Sequence, residues 1–146
     1  MAEKTFAVWL TIPDNEAFTA RETLRRMGIA VEEVRRADIW TFVVDDTHAT
    51  GLHRTIATME TIFNPNKHHL QERAGAHPAS GEVWIAPNEE PQSNGIGGRA
   101  IQGVRAIRRR TAWRLLDGSG NDVAAPELER AIEMFLCNPA FQKAIR

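Results

Sequence analysis

Ile62-Phe63-Asn64-Pro65 is answered further along the chain by Leu136-Cys137-Asn138-Pro139, and the reading of the fold turns on that echo. The same register links Val8-Trp9-Leu10 to Val83-Trp84-Ile85. It also links Val34-Arg35-Arg36 with Trp40 to Ile107-Arg108-Arg109 with Trp113; the three offsets are 74, 75 and 73 residues. Pro13-Asp14-Asn15-Glu16 against Pro87-Asn88-Glu89-Glu90 agrees with them. All four tryptophans fall into two matched pairs, and a period this long means a duplicated small domain and not a solenoid. The expected organisation is a first unit at 1–73, a small-residue linker at 74–81 (AGAHPASG) and a diverged second unit at 82–146, packed as a pseudo-dimer.

With 146 residues and 42% apolar content, the chain can bury a core without staples, whereas each half would be marginal alone. That is a physical reason for the halves to share a core or a sheet. Eighteen Lys and Arg against 19 Asp and Glu leave no field of one sign, so neither nucleic acid nor a membrane surface is an expected partner. The lone Cys137 excludes an internal disulfide and a cysteine metal cluster, and fits a reducing compartment. No apolar run has the length of a bilayer span or signal segment, so the expected location is cytoplasmic.

Thr5 to Ile12 reads as a strand stopped by Pro13. Asp14 can cap a helix over Asn15–Met27 that ends at Gly28. Ile29–Arg36 and Ile39–Asp45 read as two strands reversing near Ala37-Asp38, and Thr50–Ile62 as an amphipathic helix. With Lys67–Gln71 extended, the first half becomes an α+β, ferredoxin-like β-α-β-β-α unit with an antiparallel sheet, and the chain a tandem of two. The second half opens with a strand at Glu82–Ala86 and ends in a helix at Pro126–Leu136. Its first helix is either shortened to Arg99–Val104 or replaced by a loop, because residues 91–98 are glycine-rich. Ala106–Asp117 is an Arg-rich strand or pair of strands.

The helix end Leu24-Arg25-Arg26-Met27-Gly28-Ile29, the strand Val31-Glu32-Glu33-Val34-Arg35, the run Trp40 to Val44 and the close Ile62-Phe63-Asn64-Pro65 resemble PurS, the small subunit family of phosphoribosylformylglycinamidine synthase. The resemblance covers residues 4–72. It extends loosely to the second half, where Gly98-Arg99-Ala100-Ile101-Gln102 looks like the start of that subunit's first helix. It implies a non-catalytic scaffold in purine biosynthesis, an accessory subunit of a glutamine-dependent amidotransferase. Its partners would be a synthetase and a glutaminase subunit, and it would self-associate through its sheet. No cofactor is implied.

Asn94-Gly95-Ile96-Gly97-Gly98-Arg99 invites an anion-binding reading, since glycine lets backbone N–H groups approach a phosphate. It matches neither dinucleotide nor P-loop patterns, and a plain mobile or interface loop is the alternative. Arg105, Arg108, Arg109, Arg110 and Arg114 form a basic run in which Arg108 and Arg110 share one strand face and Arg105 and Arg109 the other. The candidate binding set is therefore Asn94, Gly95, Gly97, Gly98, Arg99, Arg108 and Arg110. An edge strand protected by charge is the competing explanation of the arginines. No catalytic residue and no metal site is expected. The five histidines lack ligand spacing, Cys137 lies on an apolar helix side, and Asp45-Asp46 and Glu89-Glu90 read as capping and solubility pairs.

Overall fold

Residues 1–91 and 93–146 are described by a computed structural model. In chain order the elements are β1 (Ala2–Leu10), α1 (Asn15–Arg26), β2 (Glu33–Val44), α2 (Asp46–Ala49), α3 (Leu52–Ala57), β3 (His68–Arg73), β4 (Glu82–Pro87), β5 (Gly95–Ile96), β6 (Arg99–Ala100), β7 (Val104–Leu116), α4 (Ala125–Ala131), a π-helical turn (Ile132–Leu136) and β8 (Gln142–Ile145). The fold is α+β. A mostly antiparallel six-stranded sheet has the order β3-β1-β2-β7-β4-β8, and β5 and β6 form a separate two-stranded hairpin.

Local sequence explains most elements. Asp14 caps α1 by accepting from the N–H groups of Glu16 (2.9 Å) and Ala17 (3.1 Å), an interaction worth about 1 kcal/mol. Arg36 of β2 pairs with Asp14 at 3.2 Å and with Glu16 at 3.3 Å, so the acidic first turn of the helix is tied to the strand beneath it.

Several elements depart from the expectations, among them α2 and β8, where none was expected, and the last helix, which turns π-helical after Ala131. Residues 33–44 are one strand and do not reverse near Ala37-Asp38. Asp38 and Ile39 sit opposite Val8 and Ala7 of β1, and among the described residues no non-glycine residue has the positive φ that a tight reversal favours. The helix expected at Thr50–Ile62 is α3, which stops at Ala57, where the Thr58 hydroxyl donates back to the Thr55 carbonyl at 2.7 Å; Ile62 still reaches the core from the turns beyond. Residues 99–104 form neither helix nor open loop but begin with the second strand of the β5–β6 hairpin.

The described residues group into two compact units. One comprises Met1–Ile12, Asp38–Ala76 and Glu89–Arg109; the other comprises Pro13–Ala37, His77–Asn88 and Arg110–Arg146. In the first, Phe6, Val8, Trp40, Phe42 and Val44 of the sheet pack with Leu52, Ile56 and Ile62, and with Ile101, Val104 and Ile107 from the second half of the sequence. In the second, Ala17, Ala20 and Leu24 of α1 pack with Val31 and Val34, with Val83, Ile85 and Leu115, and with Ala131, Ile132 and Leu136. Both cores thus mix residues from the two sequence halves. Complete burial of one Leu24-sized side chain contributes roughly 1.5–3 kcal/mol.

Candidate functional site

Asn94, Gly95, Gly97, Gly98 and Arg99 come together in the β5–β6 hairpin. Gly97 (φ 61°) and Gly98 (φ 78°) are the two left-handed residues of its turn, so the glycine pair has a conformational reason independent of any ligand. At the base of the hairpin the Ser93 hydroxyl donates to the Gly95 carbonyl at 2.8 Å, and the Asn94 carbonyl accepts from Ile101 N–H at 3.1 Å. Ile107 N–H donates to the Ser93 carbonyl at 2.9 Å, which joins the hairpin to β7 one residue before Arg108.

Arg105, Arg108, Arg109 and Arg114 of β7 are held by carboxylates. Arg108 lies 3.2 Å from Glu3 and 3.7 Å from Glu90. Arg105 donates to Asp45 at 2.8 Å, and that hydrogen bond, reinforced by the charge of Arg105, holds the Asp45 carboxyl below the usual carboxylate range. Arg109 reaches Asp38 and also stacks on Trp40. Arg114, in the other unit, donates to the Ser80 carbonyl at 2.8 Å and lies 3.4 Å from Asp122. Arg110 belongs to that same unit, and the hairpin residues to the first. Arg99 is exposed on β6.

What results is a surface of alternating charge, on which an acidic partner would compete with internal carboxylates for each guanidinium. The acidic members Glu3, Asp38, Asp45 and Glu90 escape a reading of the arginines alone. Their signal is an arginine strand set against acidic residues in other segments. Asp45 occupies the N-cap position of α2 and Asp46 its first turn, as expected of a capping pair, but the Asp45 carboxylate makes no capping hydrogen bond and is held by Arg105.

A second constellation lies beside the two outermost strands of the sheet. Before β3, the Asn64 side chain accepts from Asn66 N–H (2.9 Å) and its carbonyl accepts from Lys67 (2.9 Å) and His68 N–H (2.8 Å). Before β8, the Asn138 side chain accepts from Ala140 N–H (3.1 Å) and its carbonyl accepts from Phe141 (3.0 Å) and Gln142 N–H (2.7 Å). Each turn is anchored to a neighbouring segment: Thr11 N–H donates to the Lys67 carbonyl at 2.8 Å, and Asn88 N–H to the Phe141 carbonyl at 2.9 Å. The two Asn-Pro turns therefore share the side-chain and backbone hydrogen bonds made by their asparagine oxygens. Phe141 projects from the second with 72% of its surface exposed, a large apolar group in water.

A cleft of about 400 Å³ opens in the second unit between the end of α1 and the turn after β7, lined by Arg25, Gly28, Ile29, Val31, Glu32 and Asp117 among others. Arg25 and Glu32 face each other there at 3.9 Å. Among the described residues, no group of three or more His, Cys, Asp or Glu side chains is placed to hold a metal ion, and no helix is long and apolar enough to cross a membrane. No protein-family model matches the chain, and no curated protein does.

Proposed function

We propose that the chain is a non-catalytic assembly subunit similar to PurS, the small subunit of phosphoribosylformylglycinamidine synthase, in which two ferredoxin-like units joined in one polypeptide hold a synthetase and a glutaminase together. The observation that carries this reading is the matched construction of the two outermost strands. β3 is bonded to β1 alone and β8 to β4 alone among the described strands, and each follows the same Asn-Pro turn. Such edges present backbone donors and acceptors along one side, the raw material of strand-to-strand docking. The repeated turn also supports descent of both halves from one unit, as does the recurrence of Val31 and Val34 as Val104 and Ile107, buried in different cores.

Co-purification of the native protein with a large synthetase and a glutaminase tests it. Stable association with both supports the proposal. Failure to bind either one in the presence of ATP and glutamine counts against it.

The cleft beside Arg25 and Glu32 favours a second reading, a module that binds a small phosphorylated ligand, because its volume falls within the range of small-molecule sites. A ligand that binds only the native state raises the melting temperature, so a thermal-shift screen of phosphorylated metabolites separates this from pure scaffolding.

A further inference from the structure

The two Asn-Pro turns differ at one chemically decisive position. Asn64 N–H donates to Nδ1 of His68 at 3.0 Å, whereas Asn138 N–H donates to the side-chain oxygen of Gln142 at 2.9 Å. A backbone N–H can only donate. His68 Nδ1 is therefore the acceptor and carries no proton while the bond exists. The Gln142 amide oxygen accepts at any pH.

We propose that His68 is a proton-operated latch on the β3 edge, and that the β8 edge, with Gln142 in the same role, lacks one. A proton on Nδ1 replaces the acceptor by a donor pointed at another donor, so the Asn64 N–H loses its partner in a half-buried turn. The hydrogen bonds that Asn64 organises to Asn66, Lys67 and His68 N–H then lose part of their support. Since Lys67 holds Thr11, the loosening reaches the end of β1.

Little around the imidazole substitutes for the lost bond. The Phe63 ring is 6.4 Å away, and Leu10 is the residue opposite on β1. The charged groups on the neighbouring segments include Glu60 and Lys67 in the preceding turns, Arg54 on α3, Glu72 and Arg73 on β3, and Glu3 and Lys4 on β1, with Lys4 and Glu72 paired at 3.2 Å. His69, the next residue of β3, points to the opposite face and lies against Trp9 with ring centroids 5.3 Å apart; His53 of α3 sits edge-on to Phe6. The consequence is an asymmetry: acidification loosens one outer strand of the sheet and spares the other.

Amide-resolved NMR of the full chain between about pH 8 and about pH 5, the range in which imidazole side chains commonly titrate, tests the latch. The Asn64 amide resonance is expected to move together with the ring resonances of His68. Hydrogen exchange at Asn64, corrected for its intrinsic pH dependence, should accelerate by roughly tenfold relative to Asn138 in the same molecule. His68→Gln, which installs the group already working in the other turn, should abolish the Asn64 response while leaving those of the other histidines. The proposal is overturned if the Asn64 amide ignores the His68 titration, or if H68Q shows the wild-type response. Should H68Q fold poorly, the comparison of Asn64 with Asn138 in the wild-type chain still decides.

Discussion

The guanidinium of Arg109 lies over the indole of Trp40, 4.8 Å from the ring centroid, while its Nη2 reaches Asp38 at 3.3 Å. One side chain thus covers the aromatic surface of β2 and neutralises a carboxylate two residues along the same strand. Trp40 is buried, and it helps line the core of the first unit.

Arg109→Ala is expected to lower stability by about 0.5–1 kcal/mol, the contribution of a cation–π contact whose cation stays largely in water. Arg109→Lys should recover part of the loss, because an ammonium keeps the charge but not the planar stack. Urea midpoints of the three proteins check both statements.

Thr5 and Thr41 share a hydrogen bond of 3.0 Å between side chains that are 2% and 0% exposed. Thr41→Val alone strands the Thr5 hydroxyl in the interior and should cost about 1–3 kcal/mol. The Thr5→Val/Thr41→Val pair removes both polar groups and should be far milder than the sum of the single changes. Denaturant unfolding of the four proteins gives the coupling directly.

Acid should erode stability through two exposed pairs. The hydrogen bond from Arg105 holds the Asp45 carboxyl below its usual range, and the one from Arg146 does the same for Glu129. A carboxyl depressed in the folded state contributes above its unfolded value, near pH 4, and the contribution disappears as pH falls through the lower, folded value. Stability should therefore fall on going from about pH 5 to about pH 3. Arg105→Gln combined with Arg146→Gln should make that fall shallower, as should molar salt. Urea titrations at a series of pH values give the slope.

Phe141→Ser should leave the melting temperature almost unchanged, since the ring lies mostly in water. Under the assembly reading it should weaken capture of a protein partner several-fold, as removal of an exposed aromatic anchor does at interfaces. Unchanged capture beside an unchanged melt would remove Phe141 from the docking surface.

Much of this was legible in the residues. Apolar, β-branched runs marked β1 and β4, Asp14 with Gly28 bracketed α1, and β3 was expected only because it completes the unit. The Asn-Pro echo identified two turns that proved to share their hydrogen bonds. Ala37-Asp38 misled because small and acidic residues favour turns, whereas pairing to β1 and the burial of Ile39 carry the strand straight through. The glycines at 95–98 spoke against a helix but could not say that a hairpin would take its place. Nor does periodicity reveal which half supplies the lid of which core: similarity of two segments is silent about whether they exchange places. Among the candidate binding residues, the hairpin set was contiguous in sequence, while the carboxylates that hold the arginines come from Glu3, Asp38, Asp45 and Glu90, brought in only by the fold.

β2 and β7 each contribute residues to both compact units, and each interior is stocked from both halves of the polypeptide. A gene split within 74–81 would therefore make two fragments, neither of which holds a complete interior. Residues 1–73 would lack Ile101, Val104 and Ile107 for one, and Val83, Ile85 and Leu115 for the other. Co-expressed, the fragments would fill these two interiors only by reassociating with each other, and a protease cut in that segment would sever the chain without removing a residue from either interior.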